Sequence, residues 1–438
     1  MKHHVTLGLV CLARKTYDWE AAAGLYKNIV EQANAIENVT WEAIPEPVIT
    51  VEEGEAASRR LARAHVDGVV CISGTFHLGH LVLQLRRENP VPFLLWGLPE
   101  LPYNGGKIRL NSVCGLNLNA SNLYKSGIDD YHASVGATLD EDWIDAIRII
   151  RALKGARIGI VGFRADGFFN VGVQDNHVYG AVGALVDHYE LDDVFRQPTT
   201  AEGVESRKRQ VAGIFDVSGV TGAQIDKVAE LTEKFAGFIR ERGIDALAIR
   251  CWPEFARDFG ISPCVALSVL QSEGRIMACE GDIDGALSML AHKAVGAETP
   301  FLFDFSQVNL EENHALFWHC GVAPCNLWDG RCVRSLDTYF AGGKGVTADF
   351  VLKDGELSVL RLDSARGEYR MFLQKGTAVP MDKLLKGTYM KVIMDQPVKT
   401  VLDKIIHNGI AHHSSAVYGD FNGPLRIFAK IKGWKVID

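Results

Sequence analysis

Acidic residues follow two apolar segments in the second half of the chain. The run Met277–Cys279 leads directly into Glu280 and Asp282, with no lysine or arginine beside these acids, and the run PFLF leads into Asp304. Open α/β sheets usually build their sites at the carboxyl ends of parallel strands. We therefore expect Glu280 and Asp304 to lie at adjacent strand ends, where both can reach one cation. Taken alone, Asp282 could simply cap a following helix.

Histidines provide further ligand atoms. His319 lies in the apolar run ALFWHCG, and His412 and His413 open the strand-like segment HHSSAVYG. Neighbouring side chains of a strand point to opposite faces, so only one member of the pair can face a given site. A buried histidine can also be a hydrogen-bonded core residue. Two carboxylates with one or two imidazoles nevertheless form an oxygen and nitrogen set suited to Mn²⁺, Mg²⁺ or Co²⁺.

Composition restricts the classes of protein that could carry such a site. The chain has 438 residues and a net charge of −8, and it contains no long block of lysine and arginine. A nucleic-acid or anionic-membrane surface is therefore not expected. No apolar run approaches the roughly 18 residues of a membrane span. The N-terminus lacks a signal-peptide pattern, because Arg14 and Lys15 interrupt the first apolar run, and this favours a cytoplasmic location.

The pattern of strands and helices predicts an α/β fold with three domains. Alternating apolar strands and amphipathic helices over 1–154 predict an N-terminal domain with a doubly wound parallel sheet. A second series over 155–328 predicts another such domain, which carries the acidic residues. Segments with period-two alternation around a DG turn predict a β-rich C-terminal domain over 329–438.

The nine cysteines do not indicate a disulfide framework. Their number is odd, and several lie in buried-looking strands. Reduced thiols packed as small apolar side chains are the favoured interpretation. Cys320, Cys325 and Cys332 come closest to a cluster, but their spacing lacks the paired pattern of structural zinc sites.

Four ordered motifs carry a resemblance to a known family. ACEGDIDGAL, CWPEF with GISPC, WHCG and AHHSSAVYGD together resemble the L-fucose isomerase and L-arabinose isomerase superfamily. In the second and third domains the resemblance extends to individual motifs. In the first domain it consists of the architecture and of the GTFHLGH and LNLNAS elements. It implies a metal-dependent aldose–ketose isomerase that works through a cis-enediol, with Mn²⁺ as cofactor and Co²⁺ or Mg²⁺ as alternatives.

The resemblance also implies roles for individual residues. Glu280 and Asp304 are expected to be metal ligands and the proton-transfer pair. His413 is expected to be a ligand, and His319 a ligand or an outer neighbour of the metal. An aspartate at position 304 matches the motif of the L-fucose isomerases, whereas a histidine at position 319 matches the motif of the L-arabinose isomerases. The substrate therefore stays open among L-fucose, L-arabinose, D-arabinose and related sugars. Trp252 and His412 are expected on the substrate side.

The chemistry of the reaction supports the same arrangement. Moving a carbonyl group between C1 and C2 requires a weakly acidic proton to leave one carbon and return to its neighbour. A cation bound to O1 and O2 stabilises the enediolate, and a nearby carboxylate moves the proton. Acids without basic partners are free to bind that cation.

The GTFHLGH segment of the first domain has its own interpretation. His77 and His80 follow a strand end at a spacing that could serve a metal, but no acid lies nearby. In the resembling isomerases a neighbouring subunit's N-terminal domain walls the sugar pocket. That would make Phe76, His77 and Trp96 substrate-side residues in a homo-oligomer, a hexamer by resemblance.

Other functional classes fit less well. A nicotinamide-dependent enzyme would need GxGxxG after a strand, and GIVGFRADG over 159–167 has the wrong spacing. A non-catalytic sugar-binding protein would not need converging carboxylates and histidines. The remaining alternative is an epimerase, or an isomerase of a modified or acidic sugar, on the same scaffold.

Overall fold

The computed structural model describes all 438 residues and divides the chain into two compact units. The first unit comprises Lys2–Arg151 with Gly423–Trp434. The second unit comprises Met1, Ala152–Asn422 and Lys435–Asp438. None of the helices combines the length and the hydropathy that a membrane span requires. The division into three domains at residues 154 and 328 stays a prediction.

The first unit is built on a parallel sheet with strand order β2-β1-β3-β4-β5, an order found in doubly wound sheets. Strands β3 and β4 are buried along their whole length, as expected for parallel strands with both faces covered. The strands are β1 (Val5–Leu12), β2 (Val39–Ala43), β3 (Gly68–Ser73), β4 (Phe93–Gly97) and β5 (Tyr131–Val135). The helices are α1 (Trp19–Ala33), α2 (Val51–Arg63), α3 (His80–Glu88), α4 (Ser112–Lys125) and α5 (Glu141–Lys154), the last of which extends into the second unit.

The second unit begins with another parallel sheet, of order β7-β6-β8-β9. Strands β8 and β9 are short, apolar and buried along their whole length, and the loops after them carry polar residues. The strands are β6 (Arg157–Val161), β7 (Leu185–Tyr189), β8 (Ala246–Ile249) and β9 (Ile276–Cys279). The helices are α6 (Asp175–Val182), α7 (Leu191–Phe195), α8 (Ala201–Ile214), α9 (Gly222–Arg242), α10 (Cys264–Ser272) and α11 (Ile283–Ala294).

The rest of the second unit is rich in β-structure. The strands are β10 (Phe301–Asn309), β11 (His314–His319), β12 (Ser335–Phe340), β13 (Gly345–Val351), β14 (Gly355–Ala365), β15 (Glu368–Val379), β16 (Thr388–Met394), β17 (His413–Tyr418) and β18 (Lys435–Ile437). The pairing of β15 with β16 closes an antiparallel barrel of six strands, in the order β16-β11-β10-β17-β14-β15. Helices α12 (Val398–Asn408) and α13 (Asn422–Ile431) follow β16 and β17, and α13 runs into the first unit.

One strand differs from its expected place. The sequence predicts that PFLF ends as a parallel strand beside β9, but β10 pairs antiparallel with β11 and β17 in the barrel. Asp304 therefore lies within a barrel strand, directly opposite His413, and not at the end of a parallel strand. The predicted parallel sheets and β-rich part are confirmed.

Candidate active site

A tight turn presents Glu280 at the carboxyl end of β9. Glu280 and Gly281 both have left-handed backbone conformations, with φ of 63° and 75°. A Cβ atom on Gly281 would lie 2.5 Å from the carbonyl oxygen of Phe163 and 2.6 Å from the Cα atom of Arg164. Only glycine can therefore occupy this position without displacing the backbone of the β6–α6 loop (residues 162–174). The turn holds the Glu280 side chain where the strand ends.

Asp282 has a second function besides capping α11. As expected for a cap, its Oδ1 accepts a hydrogen bond from the Gly285 N–H at 2.9 Å. Its Oδ2 lies 3.0 Å from His413 Nδ1, and the Arg361 guanidinium donates to both carboxylate oxygens at 2.7 and 3.1 Å. Asp282 and Arg361 are each 0% exposed. Burial alone would raise the pKa of Asp282, but the Arg361 charge and the hydrogen bonds from His413 and Arg361 hold it well below its usual range.

These contacts fix the tautomer of His413. The ionised Asp282 can only accept, so the imidazole proton is on Nδ1 and the lone pair is on Nε2. His413 Nε2 lies 3.6 Å from Glu280 Oε2 and 3.7 Å from Asp304 Oδ1. Both His413 Nε2 and Asp304 Oδ1 are buried without a hydrogen-bond partner. Three electron-pair donors thus face one another, which is an unfavourable arrangement unless a cation lies between them.

His412 contacts Glu280 beside His413. The sequence predicts that only one of the two histidines can face a given site, but β17 begins at His413 and both rings reach Glu280. The Asn170 amide nitrogen lies 3.0 Å from His412 Nδ1, and His412 Nε2 lies 3.0 Å from Glu280 Oε2. The amide N–H donates to Nδ1, so Nε2 carries the proton and donates it to Glu280. Burial raises the pKa of Glu280, but the hydrogen bond from His412 and the electrostatic attraction of the surrounding imidazoles outweigh it and lower the pKa. Glu280 is therefore held ionised at neutral pH.

His319 faces the same cluster in the opposite tautomer to His413. Its ring stacks on the His413 ring with centroids 5.2 Å apart. Its Nδ1 accepts the backbone N–H of Cys320 at 2.9 Å, which places the proton on Nε2. That Nε2 atom is buried and has no partner in the chain. His319 is therefore arranged to donate a hydrogen bond, whereas a metal ligand needs a free lone pair.

Aromatic side chains form one edge of the site. Phe168, in the β6–α6 loop, packs against the His412 ring at 5.5 Å and against the Trp252 ring at 6.1 Å. Trp252 is 37% exposed, so its ring has a free surface beside the histidines. The aromatic contact agrees with a substrate-side place for Trp252 and His412, a role that stays a prediction.

The predicted residues of the first unit have well-defined neighbours of their own. His77 is buried, and its Nε2 lies 3.3 Å from Ser73 Oγ and 3.3 Å from Asn119 Nδ2. Burial lowers the pKa of His77 to about 4, so the imidazole is neutral at physiological pH. Phe76 packs against Tyr17 with ring centroids 6.0 Å apart, and the buried Trp96 donates its indole N–H to a backbone carbonyl. Substrate contacts by these residues stay predictions.

Sequence reasoning missed several residues that position the site. Asn170 and Phe168 lie in a loop whose sequence carries no recognisable motif. Arg361 did give a signal, because it lies within the apolar segment SVLRLD of β14. A fully buried arginine requires carboxylate partners, and Arg361 has Asp282 and Asp363. The sequence alone did not show that one of these acids also holds a histidine.

Comparisons with known proteins point to an enzyme. No protein-family model matches the chain. The sulfoquinovose isomerase of Priestia aryabhattai is 28% identical over 433 residues, which is 95% of each chain. The sulfoquinovose isomerase of Alkalicoccus urumqiensis is 27% identical over 441 residues, which is 98% of each chain. The sulfoquinovose isomerase of Clostridium sp. (strain MSTE9) is 26% identical over 367 residues, which is 81% of this chain and 82% of the relative.

A solved structure of a carbohydrate transporter from Acidothermus cellulolyticus 11B, in complex with myo-inositol, is 13% identical and covers 67% of this chain and 88% of its own. Its TM-score of 0.18 does not establish a common fold. The curated relatives confirm the prediction of an enzyme, an intramolecular oxidoreductase that interconverts aldoses and ketoses. Membership of the L-fucose and L-arabinose isomerase superfamily stays a prediction.

Proposed function

We propose that the chain is a metal-dependent aldose–ketose isomerase whose substrate is a modified, anionic hexose of the sulfoquinovose type. The observation that carries the metal dependence is the group of unprotonated ligand atoms around His413 Nε2. Glu280 Oε2 and Asp304 Oδ1 lie 3.6 and 3.7 Å from this nitrogen, and no hydrogen bond satisfies the nitrogen or the Asp304 oxygen. The donor set fits a divalent cation.

The ligand set is then Glu280, Asp304 and His413. Two carboxylate oxygens and one imidazole nitrogen suit Mn²⁺, with Co²⁺ or Mg²⁺ as alternatives. His412 also lies within reach, since the ligand atoms of Glu280, His412 and His413 are all within 4.8 Å of one another. The hydrogen bonds of His412 place its proton on the nitrogen that faces Glu280, so it acts as a support for that carboxylate.

Each residue of the proposed site has a separate role in the reaction. When bound, the cation supplies positive charge that stabilises the negative charge developing on O1 and O2 of the sugar. Glu280, ionised and oriented by His412, takes the proton from C2 and returns it to C1, or the reverse. Asp304, which lacks a hydrogen-bond partner on Oδ1, exchanges protons with the sugar oxygens. The His319 Nε2–H donates to a substrate oxygen and helps to stabilise the enediol.

The substrate class is proposed from the relatives. The relatives reported above, similar over most of their length, are named sulfoquinovose isomerases. Sulfoquinovose is a glucose that carries a sulfonate on C6, and its isomerisation leaves that group untouched. The alternative of an isomerase for a modified sugar is thereby favoured over L-fucose or L-arabinose. A homo-oligomer in which a neighbour's first unit completes the pocket stays part of this proposal.

A turnover experiment tests the proposal directly. Protein stripped of metal with a chelator and then reloaded with Mn²⁺, Co²⁺ or Mg²⁺ is incubated with sulfoquinovose, glucose, L-fucose and L-arabinose in D₂O. Interconversion is followed by NMR. We expect turnover of sulfoquinovose only after reloading, with deuterium appearing at C2. Full activity in rigorously metal-free protein would contradict the proposed ligand set.

The variant Glu280→Gln separates proton transfer from folding. The change keeps the size of the side chain and one ligand oxygen, but it removes the charge and the capacity to accept a proton. We expect isomerisation and C2 exchange to fall by at least the roughly 100-fold attributed to general base catalysis, with the fold retained. The control is Glu298→Gln, an exposed glutamate beyond the end of α11. Exchange at the wild-type rate in Glu280→Gln would move the base to Asp304.

A further inference from the structure

We infer that Arg164 binds the anionic group at the far end of the sugar, and that this loop residue selects anionic over neutral monosaccharides. The inference rests on the proposed function, because it presumes that C1 and C2 of a sugar lie at Glu280. Carboxylates dominate the reacting end of the site, and they would repel a sulfonate or a phosphate. The anionic end must therefore be bound by a cationic side chain at some distance from Glu280 and Asp304.

The β6–α6 loop is the segment that borders the site. The Ala165 N–H donates to the carbonyl oxygen of Glu280 at 3.1 Å. Further along the same loop, Asn170 contacts His412 Nδ1 and Phe168 packs on the His412 ring. The loop thus meets both the Glu280 turn and the histidine pair. A substrate with its C1–C2 end at Glu280 would extend along this loop.

Arg164 is the one cationic residue of that loop. Its guanidinium lies over the rings of Phe163 and Phe169, with centroid distances of 4.8 and 5.4 Å, and no carboxylate lies within ion-pair distance of it. By contrast Arg250, at the end of the neighbouring strand β8, is paired with Glu254 at 3.2 Å. The aromatic rings hold the Arg164 guanidinium in place and leave its hydrogen-bond donors free for an anion.

The reach of the side chain agrees with this role. The Arg164 Cα atom lies against Gly281, the residue after Glu280, as shown by the 2.6 Å approach that a Cβ on Gly281 would make. The same number of bonds separates Cα from the guanidinium carbon in arginine as separates C2 from sulfur in a 6-sulfonated hexose. A single guanidinium matches the single charge of a sulfonate.

The test compares Arg164→Gln with Arg275→Gln in Mn²⁺-loaded protein. Arg275 is an exposed arginine before the first residue of β9, at the opposite end of the strand from Glu280, so it controls for the loss of one positive charge. The sugars are sulfoquinovose, glucose 6-phosphate and glucose. The measurements are kcat/KM, the equilibrium Kd of each sugar by calorimetry, and the Mn²⁺ affinity.

We expect Arg164→Gln to lower kcat/KM for sulfoquinovose by about 10- to 100-fold, the loss of one charge-assisted interaction, with Mn²⁺ affinity and any weak response to glucose unchanged. Arg275→Gln should match the wild type. A loss confined to glucose 6-phosphate would keep Arg164 as the anion site and identify a phosphate as the ligand. A change below 2-fold for both anionic sugars, an equal loss for glucose, or a parallel loss of Mn²⁺ affinity would overturn the inference.

Binding separates this inference from the proposed function. If wild-type protein bound sulfoquinovose through Arg164 but did not isomerise it, the proposed function would fail and the anion site would stand. If the wild type isomerised sulfoquinovose and Arg164→Gln did so equally well, the anion site would fail and the proposed function would stand.

Discussion

Replacement of Asp282 by asparagine tests how the structure positions His413. The change keeps the shape of the side chain but removes its charge and converts one oxygen into a donor. In the unsubstituted protein, Asp282 Oδ2 accepts hydrogen bonds from His413 Nδ1 and Arg361, and Asp282 Oδ1 accepts hydrogen bonds from the Gly285 N–H and Arg361. Whichever way the amide is turned, its NH₂ group faces two of these donors. At least one hydrogen bond to a fully buried group is therefore lost.

The consequence for the proposed metal site follows from the tautomer. With the NH₂ group at the former Oδ2 position, its N–H can only donate to His413 Nδ1, which moves the imidazole proton to Nε2 and removes the lone pair that faces Glu280 and Asp304. With the NH₂ group at the former Oδ1 position, His413 Nδ1 keeps only a neutral oxygen in place of its ionised partner. Loss of such an orienting carboxylate costs roughly 10- to 100-fold in metal affinity. We expect the Mn²⁺ dissociation constant to rise by that factor.

Stability should fall as well. Removing one partner of a buried ion pair costs about 3–5 kcal/mol. Arg361 keeps Asp363 at 3.1 Å and the His413 carbonyl oxygen at 3.0 Å, so we expect the lower end of that range. Denaturant unfolding of the protein measures this change, and titration of Mn²⁺ against the folded variant measures the affinity.

The control is Asp284→Asn, which alters an equally buried carboxylate two residues further along. Asp284 accepts hydrogen bonds from the backbone and hydroxyl of Ser364 and from the Tyr369 hydroxyl, and it contacts none of the proposed metal ligands. We expect altered stability with unchanged Mn²⁺ affinity. Wild-type Mn²⁺ affinity in folded Asp282→Asn would refute the argument that Asp282 prepares His413 to bind a cation.

Three further predictions address the histidines and the glycine turn. His413→Ala should abolish high-affinity Mn²⁺ binding, whereas His412→Ala should mainly reduce turnover; equal loss of affinity in calorimetric titrations would contradict the assigned tautomers. Burial lowers the pKa of His292 from 6.5 to about 3, so protons bind preferentially to the unfolded chain. The stability that this residue contributes is complete above pH 6.5 and is lost as the pH falls toward 3, by about 2 kcal/mol at pH 5. In His292→Gln that part of the pH dependence of denaturant unfolding should disappear, and an unaltered profile would speak against a neutral buried imidazole. Gly281→Ala should destabilise the protein and reduce turnover, because the added Cβ would lie 2.5 Å from a backbone oxygen. The control for backbone strain is Gly274→Ala, because Gly274 has a similar φ of 83° but only the end of a lysine side chain nearby, at 3.7 Å. Equal effects of the two changes would show that the close approach at Gly281 is unimportant.

The sequence by itself determined the local features of the site. A short apolar strand that ends in Glu280 and Asp282 is visible without a structure, because a buried parallel strand reads as a continuous apolar run. The alternation of side chains along a strand predicted that only one of His412 and His413 faces the site, and this prediction is wrong, because β17 begins at His413 and both imidazoles reach Glu280 Oε2. Their other contacts differ, with Asn170 beside the His412 ring and Asp282 behind the His413 ring.

Only the tertiary structure decided how these features meet. Asp304 reaches His413 because β10 and β17 pair in one register of the barrel, and that register joins residues more than a hundred positions apart. The same closure brings Arg361 of β14 behind Asp282 and fixes the proton of His413. Periodicity along a chain specifies which face of a strand is buried, but not which distant strand it will pair with. The tautomers, and with them the division into ligand and donor histidines, follow from these long-range contacts.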